Sequence, residues 1–374
     1  MKKVGVITFH AALNYGSMLQ AQATQLAIER MGHDCEIIDY RLPVMDRYDR
    51  LYCARGHGGL RGKLLRSCYL AQGGARRERV RLFEDYEKRF LRESVRYDSY
   101  AALAGAAEAY DVFVSGADQI WSEQVPELRA TGGDAILGYF LGFTERKKIS
   151  YASCIAAMKR ENLEKYRPYL ERYAALSTRE QQGADTLSAL LGAPVPVVLD
   201  PSMLLSKEDW APYAGDEPLV KEPYALLYSL RCGAVQRDWM RAIRAFNARH
   251  RLKIVVVAPY FELPMPGVQN ALASGPREFL NLFANAEVVF TDTFHGTAFA
   301  VDFNRPVYTI ENKYWKEDVR KGYLLRSLGM ADRLIADESD IASVEDYRYD
   351  YSAVNVLLNE RREASLAWLK NALD

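Results

Sequence analysis

The stretch Asn285–Val307, NAEVVFTDTFHGTAFAVDFNRPV, changes character twice along its length. Glu287–Thr291 is apolar, β-branched and aromatic, the composition of a short buried strand. Thr291-Asp292-Thr293-Phe294-His295-Gly296-Thr297 is polar, and Ala298–Phe303 continues as a helical run. A strand that breaks through a polar turn into a helix leaves unpaired backbone N–H groups at the helix start, where the helix dipole favours negative charge. With a histidine and several hydroxyls on the same turn, the segment is a candidate site for a phosphorylated small molecule. Thr291, Asp292, Thr293, Gly296 and Thr297 would surround the anion, and His295 would be the group able to exchange a proton near neutral pH.

Working outward, the same alternation recurs along the chain. Val4–Thr8 reads as a strand, Phe9–Gly16 as a loop, Ser17 as the N-cap of a helix to Met31, and Cys35–Tyr40 as the next strand. That is a βαβ unit, and it implies a parallel sheet. Its loop, HAALNYG, lacks the G-x-G-x-x-G spacing of a dinucleotide site. Further strands end in polar loops that carry Asp118 and Gln119, Arg179, and Asp200, while Asn14, Tyr15 and Gly16 follow the first strand. In open α/β sheets ligands bind beyond the carboxyl ends of strands, so these residues are expected to converge on a cleft. Pro212–Pro223 reads as a linker, and strand and helix alternate again from Tyr224 to Ile310. Tyr351–Leu373 has the apolar spacing of a long amphipathic helix. The expected fold is α/β, with two Rossmann-like domains facing each other across a cleft. Residues 1–211 form the first domain, 224–350 the second, and the helix at 351–374 packs back on the first.

A chain of 374 residues exceeds one ordinary core, in keeping with two domains. Forty-nine Lys and Arg balance 49 Asp and Glu, so the net charge argues against bulk nucleic-acid binding. The five cysteines are scattered without a Cys-x-x-Cys pair, which fits a reducing compartment better than a disulfide framework or a zinc ribbon. The opening MKKVGVITFH is too short in its apolar part for a signal-peptide core, and no run is long enough to span a bilayer. The expectation is a cytoplasmic protein. One region breaks the charge balance: Arg50–Arg96 carries thirteen Lys and Arg against five Asp and Glu. It reads either as a solvated helical hairpin inserted in the first domain or as a surface for an anionic acceptor or the phosphate-rich face of a membrane.

NYGSMLQAQA after the first strand, DVFVSGADQIW, ISYASCIA, LSTREQQGADTL, VVLDPSMLL, the FHG turn and LLRSLGMADR occur in one order from residue 14 to residue 333. As an ordered set they closely resemble the polysaccharide pyruvyl transferase family. The resemblance implies a fold like that of the two-domain GT-B glycosyltransferases, with an acceptor-side first domain and a donor-side second domain. It further implies transfer of pyruvate from phosphoenolpyruvate to a sugar of a cell-surface polysaccharide or its lipid-linked precursor, forming a cyclic ketal, at the cytoplasmic side of the membrane. The partners so implied are a small-molecule donor and a glycan acceptor, with no nucleic acid. Phosphoenolpyruvate is a substrate, and no cofactor or metal is called for; oligomeric state is left open.

On that resemblance His295 and Arg179 are associated with the donor. Some members carry an arginine two positions before the histidine, where this chain has Thr293. Lys313, Arg320 and Lys321 are the candidates to replace its charge. Ketal formation needs an acid for the methylene carbon, a base for the sugar hydroxyls and cations for the leaving phosphate. His295 is assigned the proton exchange, Asp118 the role of base, and Arg179 bidentate pairing with the anion. Asn14, Tyr15, Gly16, Gln119 and Asp200 are assigned to the acceptor side of the cleft. Two other readings compete: a nucleotide-sugar glycosyltransferase on the same fold, and a non-catalytic glycan-assembly protein, which the threonine at 293 keeps open.

Overall fold

A computed structural model describes residues 1–42, 72–156, 158–230, 234–257, 265–311, 313 and 319–374. The first part of the basic insert, up to residue 71, lies outside the described residues. Numbering only helices of eight residues or more, the first domain contains β1 (Lys3–Ile7), α1 (Tyr15–Arg30), β2 (Asp34–Ile37), α2 (Gly73–Phe90), β3 (Val112–Ser115), β4 (Lys147–Ser150), β5 (Ala175–Leu176), α3 (Gln181–Leu191) and α4 (Lys207–Ala214). The second contains β6 (Tyr224–Tyr228), α5 (Ala234–His250), β7 (Lys253–Val257), β8 (Val268–Asn270), α6 (Pro276–Ala284), β9 (Val288–Thr291), α7 (Phe294–Asp302), β10 (Val307–Ile310), α8 (Arg320–Ser327) and β11 (Leu334–Ile335). The chain closes with α9 (Ser352–Leu373).

Each domain is built on one parallel sheet, in the order β2-β1-β3-β4-β5 and β11-β10-β9-β6-β7-β8. The central strands VFVS and YALLY are buried along their whole length, as strands covered on both faces must be. The order of the first sheet reverses between β1 and β3, and that of the second between β6 and β9. At such a reversal the crossing helices leave to opposite faces and open a crevice beyond the strand ends. The loops that leave β1, β3 and β9 therefore start at the two reversals.

Apolar packing continues from one domain into the other. Tyr15 at the start of α1 is fully buried, stacks on Phe279 of α6 with ring centroids 4.6 Å apart, and donates its hydroxyl to the Ser274 carbonyl at 2.9 Å. Trp210 of α4 meets Phe299 of α7 edge-on. The linker is shorter than expected, because α4 runs through Pro212 to Ala214, and Asn281 of α6 then ties down Ala214, Glu217 and Leu219. Helix α9 returns to the first domain: Leu199 N–H donates to Ser365, Arg362 donates to the Met203 carbonyl, and Lys2 donates to the Leu373 carbonyl.

Other boundaries differ from expectation for physical reasons. Helix α1 begins at Tyr15, with Asn14 as the cap that accepts from the N–H groups of Gly16 and Ser17. Strand β2 ends at Ile37, and residues from Arg92 onward run beside the chain that follows it. The described part of the basic insert is α2, which contributes Phe83 and Tyr86 to the core. Arg79 is 4% exposed, donates to the Leu13 carbonyl at 2.6 Å and lies over the Tyr15 ring, so it is a packed side chain and not a surface cation.

Candidate active site

The turn that follows β9 is the start of α7. Helix geometry sets in at Phe294, earlier than the sequence pattern indicated, with Thr293 as N-cap. The Thr293 hydroxyl accepts from Gly296 N–H at 2.9 Å and bonds the Thr291 hydroxyl at 3.0 Å, while Thr291 donates to the Tyr228 carbonyl. Thr297 bonds back to the Thr293 carbonyl and to Thr309. These hydroxyls, expected around an anion, instead face inward and build the turn. A Cβ at Gly296 would lie 2.4 Å from the Thr291 hydroxyl oxygen, so the glycine serves this packing and not a ligand's approach. Asp292 accepts from Ser229 at 2.8 Å, and its carbonyl accepts from Lys321 at 3.0 Å.

His295 is carried on the second helical position and is 9% exposed. It lies against the first domain: a Cβ on Gly16 would come within 2.1 Å of its Nδ1. Gly16 therefore allows α1 to approach the imidazole. Nε2 of His295 has no hydrogen-bond partner among the described residues, and its nearest carboxylate oxygen is Asp200 Oδ1 at 3.8 Å. Burial holds the imidazole below its ordinary pKa, against the pull of Asp200 and Asp118. The ring is thus neutral at pH 7, with one nitrogen available as an acceptor.

Around it stands a charge cluster built by the first domain. Asp118 follows β3 at a left-handed backbone position (φ 64°), which aspartate tolerates better than most residues. The turn aims its carboxylate at α1, where Ser17 donates to it at 3.1 Å. Arg179 has no exposed side-chain surface: Nη1 pairs with Asp200 at 2.5 Å and Nη2 with Asp118 at 2.9 Å. Its guanidinium lies over the Phe294 ring, 4.6 Å from the centroid. Arg320, from the start of α8, faces the same ring and approaches Asp118 at 4.0 Å. In the amide orientation that satisfies both groups, Gln119 accepts from both Arg320 Nη atoms at 2.8 and 2.7 Å.

Burial alone would raise the Asp118 carboxyl, but Arg179, His295 and Arg320 outweigh it and hold it well below the usual carboxylate range. Asp200 is lowered in the same way: burial opposes, while Arg179, His295 and the Ser202 hydroxyl prevail. Asp118 is thus a poor base, contrary to its assigned role, and Arg179 is committed to carboxylates rather than turned toward an anion.

The other assigned residues separate. Asp200, Gln119, Asp118, Arg179, Gly16 and His295 meet where the two sheet reversals face each other. Asn14 is occupied as a helix cap, and Tyr15 is sealed in the interdomain packing. Lys313 pairs with Asp337 and Glu338 at the β11 side of the second sheet. Sequence reasoning missed Ser17, taken for a cap, and Phe294, whose place inside the FHG turn was its only signal. Of the three cations considered for the charge missing at Thr293, Arg320 reaches the cluster.

Two parallel sheets, with polar side chains of both halves meeting between them, define a two-domain α/β protein of the GT-B kind. A solved UDP-N-acetylglucosamine 2-epimerase from Rickettsia bellii superposes with a TM-score of 0.55 at 11% identity, over 100% of this chain and 96% of that one. Also similar are a UDP-N-acetylglucosamine 2-epimerase, so described, from Listeria monocytogenes (TM-score 0.48, 12% identity, 94% and 93% covered) and CalG4, the calicheamicin glycosyltransferase (TM-score 0.47, 13% identity, 100% and 97% covered). At such identities the likeness is one of fold alone. No curated protein matches the sequence. The family model described as polysaccharide pyruvyl transferase matches residues 14–314, most of the chain, and the chain belongs to that family. No helix among the described residues is long and apolar enough to cross a membrane.

Proposed function

We propose that the protein transfers pyruvate from phosphoenolpyruvate to a sugar of a cell-surface polysaccharide or its lipid-linked precursor, closing a cyclic ketal. The observation that carries this reading is the buried His295, whose Nε2 has no hydrogen-bond partner among the described residues, at the start of a helix facing the other domain. The Thr291 hydroxyl accepts from Thr293 N–H and the Thr293 cap from Gly296 N–H, leaving the amides of Phe294 and His295 as the helix-start donors for a phosphate or carboxylate. Arg320, 13% exposed in its side chain, supplies the cation beside them in place of the arginine absent at Thr293. The placement of Arg320 supports the catalytic reading over a non-catalytic protein.

In the reaction the donor methylene gains a proton and the enol carbon is attacked by a first sugar hydroxyl. Phosphate then leaves, and a second hydroxyl closes the ring. Of the two hydroxyl protons, one balances the proton gained by carbon and the other departs with phosphate. His295 Nε2 takes a hydroxyl proton and returns it to the methylene. Asp118 and Asp200 are positioning residues, which fix Arg179 under Phe294 and set the potential at His295. The domains enclose the reacting enol and keep water from it.

Thermal stabilisation by phosphoenolpyruvate but not by uridine diphosphate, lost in Arg320→Ala, is the expected outcome. Stabilisation by the nucleotide alone would favour a glycosyltransferase instead.

A further inference from the structure

A second polar cluster lies in the first domain, at the ends of β1 and β2, and the proposed reaction does not use it. His10 is 1% exposed. Its Nδ1 lies 3.2 Å from the Thr8 carbonyl, which can only accept, so Nδ1 carries the hydrogen. In the neutral ring Nε2 then directs its lone pair at two carboxylate oxygens, Asp39 Oδ1 at 3.1 Å and Glu93 Oε1 at 3.3 Å. One ligand atom from each of the three residues lies within 4.8 Å of the others, close enough to share one ion.

The carboxylates have an outer partner in place. Asp39, Glu87 and Glu93 gather around a single guanidinium, Arg41, which contacts all three. Asp39 itself is 6% exposed. The two distances from His10 Nε2, 3.1 and 3.3 Å, are close to the spacing of neighbouring ligands. Ligand atoms about 2.0–2.2 Å from a tetrahedral zinc ion stand roughly 3.3–3.5 Å from each other. A carbonyl on the far nitrogen of the ring is the usual outer support of a metal-binding histidine.

We propose that His10 Nε2, Asp39 and Glu93 form a divalent-cation site of the zinc class, separate from the reaction centre. One imidazole and two carboxylates suit zinc better than magnesium or calcium, which prefer oxygen alone. Asp39 Oδ1 exchanges its contact with Arg41 Nε for the ion, and Arg41 stays on Glu87 and Glu93 as their outer partner. Glu93, 21% exposed in its side chain, is the side from which the ion enters and where water completes the coordination. The site pins three segments that the backbone has already brought together. They are the end of β1, the chain after β2 where Asp39 N–H donates to Ser94, and the run after α2 that pairs Glu93 with Ile37.

The test strips the full-length protein with a chelator, adds zinc sulfate, removes unbound ion by gel filtration and measures zinc per chain. One equivalent is expected in the native protein and in His33→Gln and His250→Gln. Binding should be weaker by at least the roughly 10–100-fold that loss of an outer support costs in His10→Gln and Glu93→Gln, which lose a ligand atom. Zinc should raise the melting temperature of the native protein and not of those two variants. Should either variant fail to fold, zinc-edge anomalous scattering from native crystals locates the ion directly, with the peak expected between His10 and Asp39. Native protein that retains no zinc, His10→Gln that retains as much as native, or a peak at another histidine overturns the proposal.

Discussion

At the scale of single residues the account rests on His295, whose pKa burial lowers and whose Nε2 has no hydrogen-bond partner among the described residues. Replacing it with alanine should lower acceptor-dependent phosphate release by about 10²–10⁴-fold, the usual worth of a positioned proton carrier. Phosphoenolpyruvate should still protect the variant in thermal denaturation, through Arg320 and the helix start. The pH dependence has a definite sign. Burial lowers the His295 pKa below its unfolded value of ~6.5, so between the two values the unfolded chain binds the extra proton. Stability from this group is therefore low in acid and rises as pH increases through ~6.5. The acid limb of kcat/KM should likewise be centred below ~6.5, and a limb centred above 7 would assign the proton transfer elsewhere. Gly16→Ala is the sharpest geometric test. Its Cβ would meet Nδ1 at 2.1 Å and push the imidazole aside, so kcat/KM should fall by roughly 10²-fold while circular dichroism is unchanged. The FHG turn made His295 legible in the sequence, whereas the inward direction of Thr291, Thr293 and Thr297 was not. Hydroxyls near a helix start look the same in sequence whether they cap the helix or face a ligand.

At the scale of elements, the strand ends of the first domain are joined by Arg179, which is wholly buried between Asp118 and Asp200. Removing one partner of such a group leaves uncompensated charge, and Arg179→Ala should lower unfolding stability by about 3–5 kcal/mol in urea titration. Arg179→Lys should recover only part of that loss, since an ammonium cannot bridge two carboxylates as a planar fork does. Unchanged stability would mean that the cluster is solvated. In the basic insert, Arg79→Glu should destabilise the fold, because a carboxylate would be buried against the Leu13 carbonyl. Reversal of the solvent-facing Lys88 or Arg89 should leave stability nearly unchanged. Sequence pattern located nearly every strand of both sheets, since parallel strands are continuous apolar runs. It misplaced element ends where two side chains could serve one role. Asn14 and Ser17 are both good caps, and the choice was made by Asp118, which engages the serine. Arg179 was expected to pair with an anionic ligand and pairs with Asp200 and Asp118 instead, because carboxylates 21 and 61 positions away are invisible to local pattern.

At the scale of the whole molecule, the two sheets place their reversals face to face, and Tyr15, Phe279 and the returning α9 join the domains through shared packing. One cooperative calorimetric transition is expected, and Tyr15→Ala should lower the melting of the molecule as a unit; two separated transitions would show domains that unfold independently. The alternation of strand and helix was enough to foresee two α/β halves. The depth of interdomain burial was not, since an aromatic at a helix start carries no mark of the partner it stacks on. The central claim is that the His295 turn and Arg320 hold phosphoenolpyruvate while a sugar is presented to it. The direct measurement is phosphate release by the purified protein from phosphoenolpyruvate across free and lipid-linked oligosaccharide acceptors, alongside His295→Ala. The account predicts release that requires an acceptor, forms a pyruvate ketal on it and is lost in the variant; acceptor-dependent release that His295→Ala leaves intact would contradict it.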